Sequence, residues 1–189
     1  MTEVYPSGII KYECSFTYNT EGQIIKVDSK QYSGNNSYTR YTDTYTYSSK
    51  SIICHESTST GNERDRIFNL SNGLIIDNAS YDDNGYLTSL DGNKYVWENG
   101  NVVEIGNETI QYSNIIRPQH WMSSGNYREV LEAYGYYGKT SKNLKSHVLL
   151  PANVSPYYSK YDYTVENGYI TKYTYTHGSS STTTTIEWE

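Results

Sequence analysis

The chain has 189 residues and a mass of 21.7 kDa, the size of one domain. Its 15 Lys and Arg against 21 Asp and Glu give a net charge of −6. With no basic block to grip a phosphate backbone, nucleic acid is excluded as a partner. A mean hydropathy of −0.76, with no run near the roughly 20 apolar residues a bilayer-crossing helix needs, excludes a helical membrane span.

The N-terminus, Met1-Thr2-Glu3-Val4-Tyr5-Pro6, has neither the basic stretch nor the apolar run of a secretory leader. The Tyr-, Ser-, Thr- and Asn-rich composition nonetheless resembles that of exported bacterial proteins. The expectation is therefore a periplasmic or cell-surface protein whose leader is removed, with a lipid anchor through that leader left open. Cys14 and Cys54 are too few for a disulfide scaffold, and neither sits in a CxxC or Cys/His cluster, so no metal or other cofactor is expected. Export would permit a Cys14–Cys54 bond, but the three strand spacings between them amount to about 14 Å unless the sheet curls.

Turn signals then follow one another along the chain. Asn-Gly occurs at Asn72-Gly73, Asn84-Gly85, Asn99-Gly100 and Asn167-Gly168. Both residues tolerate the positive φ that a type I′ hairpin demands. Between the turns lie runs with strand chemistry: 9–18, 23–32, 38–47, 51–59, 64–70, 74–81, 86–90, 94–98, 102–105, 108–112, 158–166, 169–177 and 182–188. These make about 13 strands in an antiparallel up-and-down meander, a strongly curved sheet or open barrel within a single β domain spanning 1–189. Alternation supports the pattern. From Tyr38 one face reads Tyr38, Arg40, Thr42, Thr44 and Thr46, and the other Thr39, Tyr41, Asp43, Tyr45 and Tyr47. Such mixed faces leave much of the sheet wet on one side and fit a lipid-facing barrel poorly.

Residues 114–156 lack regular turns and read as an irregular or helical insertion. Asn126 is a helix N-cap, with Glu129 at the reciprocal N3 position. Tyr127, Val130, Leu131 and Tyr134 then form an apolar stripe, and Gly135 or Gly138 ends the helix. One short helix in a β chain is expected to cover or plug the concave side of a curved sheet.

A degenerate repeat runs beneath the strands: two alternating residues, a turn ending in Gly, a spacer and an aliphatic. It includes Phe16 to Ile24, Ser80 to Leu87, Tyr95 to Val102 and Tyr161 to Ile170. Tyr81-Asp82-Asp83-Asn84-Gly85-Tyr86-Leu87 resembles the core of a tyrosine-aspartate (YD) repeat. The wider pattern is similar to a family of exported lipoproteins of unknown function from Bacteroidetes with a porin-like fold. That likeness rests on the hairpin series, the helix followed by Gly138-Lys139-Thr140-Ser141-Lys142-Asn143-Leu144, and the closing hairpins from Tyr161 to Trp188. It implies a porin-like fold and export, and it brings no catalytic residues. The chain departs from the family in its missing leader and its tyrosine enrichment.

Motifs for chemistry are few. Gly138-Lys139-Thr140 echoes a phosphate-binding loop, but Ala133 stands where that loop needs glycine, inside the expected helix. Ser80, Asp82, Asn84 and Asp91 form a distorted calcium-loop pattern that a hairpin turn explains equally well. His55, His120, His147 and His177 are widely spaced. Acidic pairs such as Glu63/Asp65 and Glu98/Glu104 could act as glycosidase carboxylates, although an acidic surface supplies many accidental pairs.

The aromatic population is the leading candidate, with 23 Tyr against 3 Trp and 2 Phe. Amphipathic rings stack on sugars and anchor peptides while their polar tips hydrogen-bond. Trp97, Trp121, Tyr134, Tyr136, Tyr137 and Trp188 are the candidate ligand-binding residues. The plainer reading is that tyrosine, a good strand former, covers a half-exposed sheet. The expected function is a non-enzymatic exported binding module for glycan or peptide. The alternative is a glycan- or cell-wall-directed hydrolase using carboxylates at the mouth of the sheet.

Overall fold

A computed structural model describes residues 2–4, 10–33, 37–118, 122, 126–151 and 158–186. The fold is mainly β: a strongly curved antiparallel meander with one short helix. Its contacts gather into two compact units, one of Met1–Asp77 with Met122–Tyr136, the other of Asn78–Trp121 with Tyr137–Glu189.

The first unit holds β1 (Thr2–Val4), β2 (Ile10–Tyr18), β3 (Ile24–Tyr32), β4 (Tyr38–Tyr47), β5 (Ser51–Thr58), β6 (Glu63–Ser71) and β7 (Leu74–Ile75), with α1 (Tyr127–Ala133). Each strand pairs antiparallel with its sequence neighbour. The register lines up two faces. On one, Cys14, Ser29, Tyr41 and Thr58 lie in a row, as do Tyr47, Ile52 and Phe68. Beneath the helix this face is apolar, with Ile24, Val27, Tyr45, Ile52 and Cys54 buried. The opposite face carries Lys26, Asp28, Lys30, Arg40, His55 and Asp65. Asp28 pairs with Lys26 at 2.6 Å and Arg40 at 2.7 Å, Lys30 with Glu13 at 3.2 Å, and His55 with Asp65 at 2.7 Å. A face laced with ion pairs meets water, and the paired Ile53 and Ile67 stand exposed on it as well.

The helix begins where the sequence says. The Asn126 side chain accepts the Glu129 amide at 3.0 Å, capping an orphan N–H. Val130 and Leu131 are fully buried. Gly135, at φ 78, ends the helix in the left-handed conformation that a glycine adopts without Cβ strain.

The second unit holds β8 (Ala79–Tyr81), β9 (Leu87–Leu90), β10 (Asn93–Glu98), β11 (Asn101–Ile105), β12 (Glu108–Ile116), β13 (Asn143–Leu149), β14 (Tyr158–Glu166), β15 (Tyr169–His177) and β16 (Ser180–Thr185), again paired in sequence order. Leu144, Ile170 and Tyr173 form a buried cluster, joined by Ile115, Tyr163 and Tyr175.

Three differences from the sequence reading raise the about 13 expected strands to 16 among the described residues, the first being β1, which precedes the first expected run. β13 lies inside the stretch read as irregular, because Asn143–Leu149 has no flanking turn signal and no clean alternation. The run 74–81 divides into β7 and β8 at Asn78, whose φ of 54 breaks an extended chain.

The turns also sort by chemistry. Asn72-Gly73, Asn99-Gly100 and Asn167-Gly168 have positive φ at both residues, as a type I′ hairpin requires. At Asn84-Gly85 only the glycine does. There the Asp82 carboxylate accepts the Asn84 amide at 2.9 Å and the Tyr86 amide at 2.8 Å, building a wider loop. Asn19 does the same for Glu21 and Gln23 at 3.0 and 2.9 Å. The degenerate repeat thus covers two kinds of turn: a short polar side chain closes the Asn19 and Asp82 copies two and four residues on, and a type I′ Asn-Gly closes the copies at Asn99 and Asn167.

Candidate functional site

A seven-residue helix is about 10 Å long, whereas the ten-residue strand β4 reaches about 33 Å. One such helix cannot cover the face it sits on. The uncovered part is a cavity of about 560 Å³ within the first unit.

Its floor comes from cross-strand register. Asp43 on β4 stands opposite Glu56 on β5, and Glu56 opposite Arg64 on β6. Tyr12 stands opposite Gln31, and Tyr41 opposite Ser29. Tyr12, Tyr41 and Tyr127 supply aromatic wall, and Gln31 and Asn62 supply amides.

The carboxylates differ in their surroundings. Glu56 accepts a hydrogen bond from Arg66 Nε at 2.6 Å, and the guanidinium lies 4.4 Å from the centroid of the Tyr127 ring. That ring also packs on Phe68 at 5.6 Å. Arg66 is thereby held between a carboxylate and an aromatic face. Asp43 has no hydrogen-bond or ion-pair partner among the described residues. Burial, and then the charge of Glu56, push its carboxyl up to about 6, with Arg66 pulling the other way.

The thiols are not nucleophiles. Burial raises Cys14 to about 11 and Cys54 to about 12, and neither forms a disulfide. The row containing Cys14 meets β5 at Thr58, four residues from Cys54. The separation is three strands sideways and four residues along, far beyond disulfide reach.

The residues singled out from sequence lie elsewhere. Trp97 is in the second unit, where its Nε1 donates to the Leu87 carbonyl at 2.8 Å and its ring packs on Tyr86 at 4.8 Å. Lys139 covers the other partner, 4.4 Å from the Tyr86 ring centroid. Gly138 is pressed against the Gly85 carbonyl, so the phosphate-loop echo is a point of close backbone packing in that unit. Tyr134 donates to the Gly22 carbonyl at 2.8 Å, and Tyr136 accepts from Gln23 at 3.2 Å while stacking on Tyr47 at 5.9 Å. Tyr137 is buried in the second unit. Tyr134 and Tyr136 thus wedge against the β2–β3 turn, and none of these four lines the cavity. Trp121 and Trp188 lie outside the described residues, as does His120. His55 is on the face opposite the cavity, where its hydrogen bond to Asp65 raises it above the usual histidine range.

The cavity residues had a sequence signal. Asp43 falls in phase with Tyr41, Tyr45 and Tyr47, Glu56 with Ile52 and Cys54, and Arg64 and Arg66 with Phe68. Charges in step with an apolar face mark a polar patch on the inner side of a sheet.

These features define a class: an antiparallel β meander with a polar, tyrosine-walled cavity beside a covering helix. No family model matches the chain, and no curated protein matches it. Among solved structures it is similar to a porin-like protein from Bacteroides uniformis, with a TM-score of 0.58 at 15% identity, over 96% of this chain and 93% of that one. At that identity the likeness is one of fold. The porin-like fold implied by the sequence resemblance is the fold found here.

Proposed function

We propose that this protein is an exported, non-enzymatic binding module of the periplasm or cell surface, and that its first-unit cavity takes a glycan. The observation that carries this reading is the cavity itself, about 560 Å³ and within the range of small-ligand sites. It is walled by three tyrosines and floored by planar polar groups. Carboxylates, amides and guanidinium groups meet neighbouring sugar hydroxyls in pairs, and a tyrosine face stacks on the C–H face of a pyranose. A peptide in extended form would instead call for an open sheet edge with alternating pockets.

The test is a glycan-array screen followed by calorimetry of the hits on the intact chain. Tyr41, 36% exposed and on the cavity wall, is the residue to remove. Tyr41→Ala should weaken binding roughly tenfold with an unchanged melting temperature. Wild-type affinity in that variant, or a protein that binds no glycan, would count against the proposal.

A second reading is favoured by the Asp43–Glu56 pairing: a glycan hydrolase in which Asp43, raised above the usual carboxylate range, donates a proton and Glu56, held by Arg66, is the second carboxylate. The same titrations separate the two, because a hydrolase shortens its bound oligosaccharide and a binding module returns it intact.

A further inference from the structure

The charges around the cavity do not balance. Glu56 is neutralised by Arg66 at 2.6 Å. Glu63 and Arg64 are adjacent, exposed and opposite in sign at the rim. What remains is Asp43, half-buried on the cavity floor and without a donor among the described residues. A carboxylate withdrawn from water and left unpartnered gains most from a cation brought to it, because the interaction is weakly screened there.

We infer that the glycan bound in this cavity carries a free ammonium group, an amino sugar that is not N-acetylated, and that this group is held against Asp43. The inference rests on the glycan reading above and adds the ligand's chemical class. Tyr12, Tyr41 and Tyr127 take the ring, and Asp43 takes the amine.

The groups that face Asp43 fix the expected pH response. They are Tyr12 and Cys14 from β2, Tyr45 from its own strand, Cys54 and Glu56 from β5, Arg64 and Arg66 from β6, and Tyr127 from α1. Burial raises Tyr12, Tyr45, Cys14 and Cys54, so these stay neutral from pH 5 to 8. Arg66, raised further by its hydrogen bond to Glu56, stays charged. Asp43, at about 6, loses its charge as the pH falls across that range, and the attraction goes with it.

The experiment is calorimetry on the intact chain with fragments of glucosamine and galactosamine polymers and their N-acetylated counterparts of equal length. Lysine-containing peptides form a third arm. The expected result is a roughly tenfold preference for the free amine at pH 7, abolished in Asp43→Asn, where the amine and N-acetyl forms bind alike. The wild-type comparison between ligands needs no variant, so a misfolded Asp43→Asn leaves the test intact. Equal affinity for amine and N-acetyl forms overturns this inference and leaves the glycan reading standing. Binding of the peptides alone, or of nothing, overturns both.

Discussion

Asp28 shows how this sheet handles charge at the scale of one residue. Burial alone would raise its carboxyl, but hydrogen bonds from Lys26 at 2.6 Å, Arg40 at 2.7 Å and Thr42 at 2.8 Å overcome that and hold it at about 2. A carboxyl depressed on folding stabilises the protein above its unfolded pKa, and that stabilisation is lost as the pH falls through about 2. The cluster is partly exposed, so the contribution is discounted to about 1–2 kcal/mol. Urea unfolding should show Asp28→Ala less stable by that amount at pH 7, with the gap closing towards pH 2. A gap that does not change with pH contradicts the assignment. Asp43 is the counterpart on the other face: a carboxylate of the same sheet, raised by burial and then by the charge of Glu56. Two aspartates on adjacent strands differ because Asp28 has Thr42 opposite it, Lys26 two residues back and Arg40 diagonally placed, whereas Asp43 is in register with Val27 and Glu56.

At the scale of elements, the helix and the hairpins divide the work. α1 is too short to persist alone in water, and its stability comes from the apolar stripe it buries. Leu131 is fully buried, so Leu131→Ala should cost about 2–5 kcal/mol by urea unfolding; a loss under about 1 kcal/mol would mean the helix is not docked as described. The helix was legible from its N-cap, its stripe and its terminal glycine, since each is a local rule. The hairpins were legible from Asn-Gly for the same reason, whereas the side-chain closures at Asn19 and Asp82 showed only in the structure. β13 was not, because Asn143–Leu149 is held by its neighbours β12 and β14 and has little strand pattern of its own.

Across the whole molecule, the candidate site was the least legible feature. Tyr12, Tyr41, Asp43, Glu56, Arg64 and Tyr127 come from five elements and meet through register, which sequence spacing does not encode. Residues conspicuous in the sequence serve packing instead: Trp97 buttresses the Tyr86 turn, and Tyr134 and Tyr136 brace the β2–β3 turn. The 23 tyrosines thus act in two ways. Many lie in strands, and a few, in step with the charges Asp43, Glu56 and Arg66, wall a cavity. The central claim is that ligand binds in this cavity and not at the conspicuous aromatics. Titration of an isotope-labelled chain with a bound glycan, followed by two-dimensional NMR, tests it most directly. The account predicts shifts concentrated on the amides of Tyr41, Asp43, Glu56 and Tyr127. Shifts confined to Tyr86, Trp97 and Lys139, with those four amides unmoved, would contradict it.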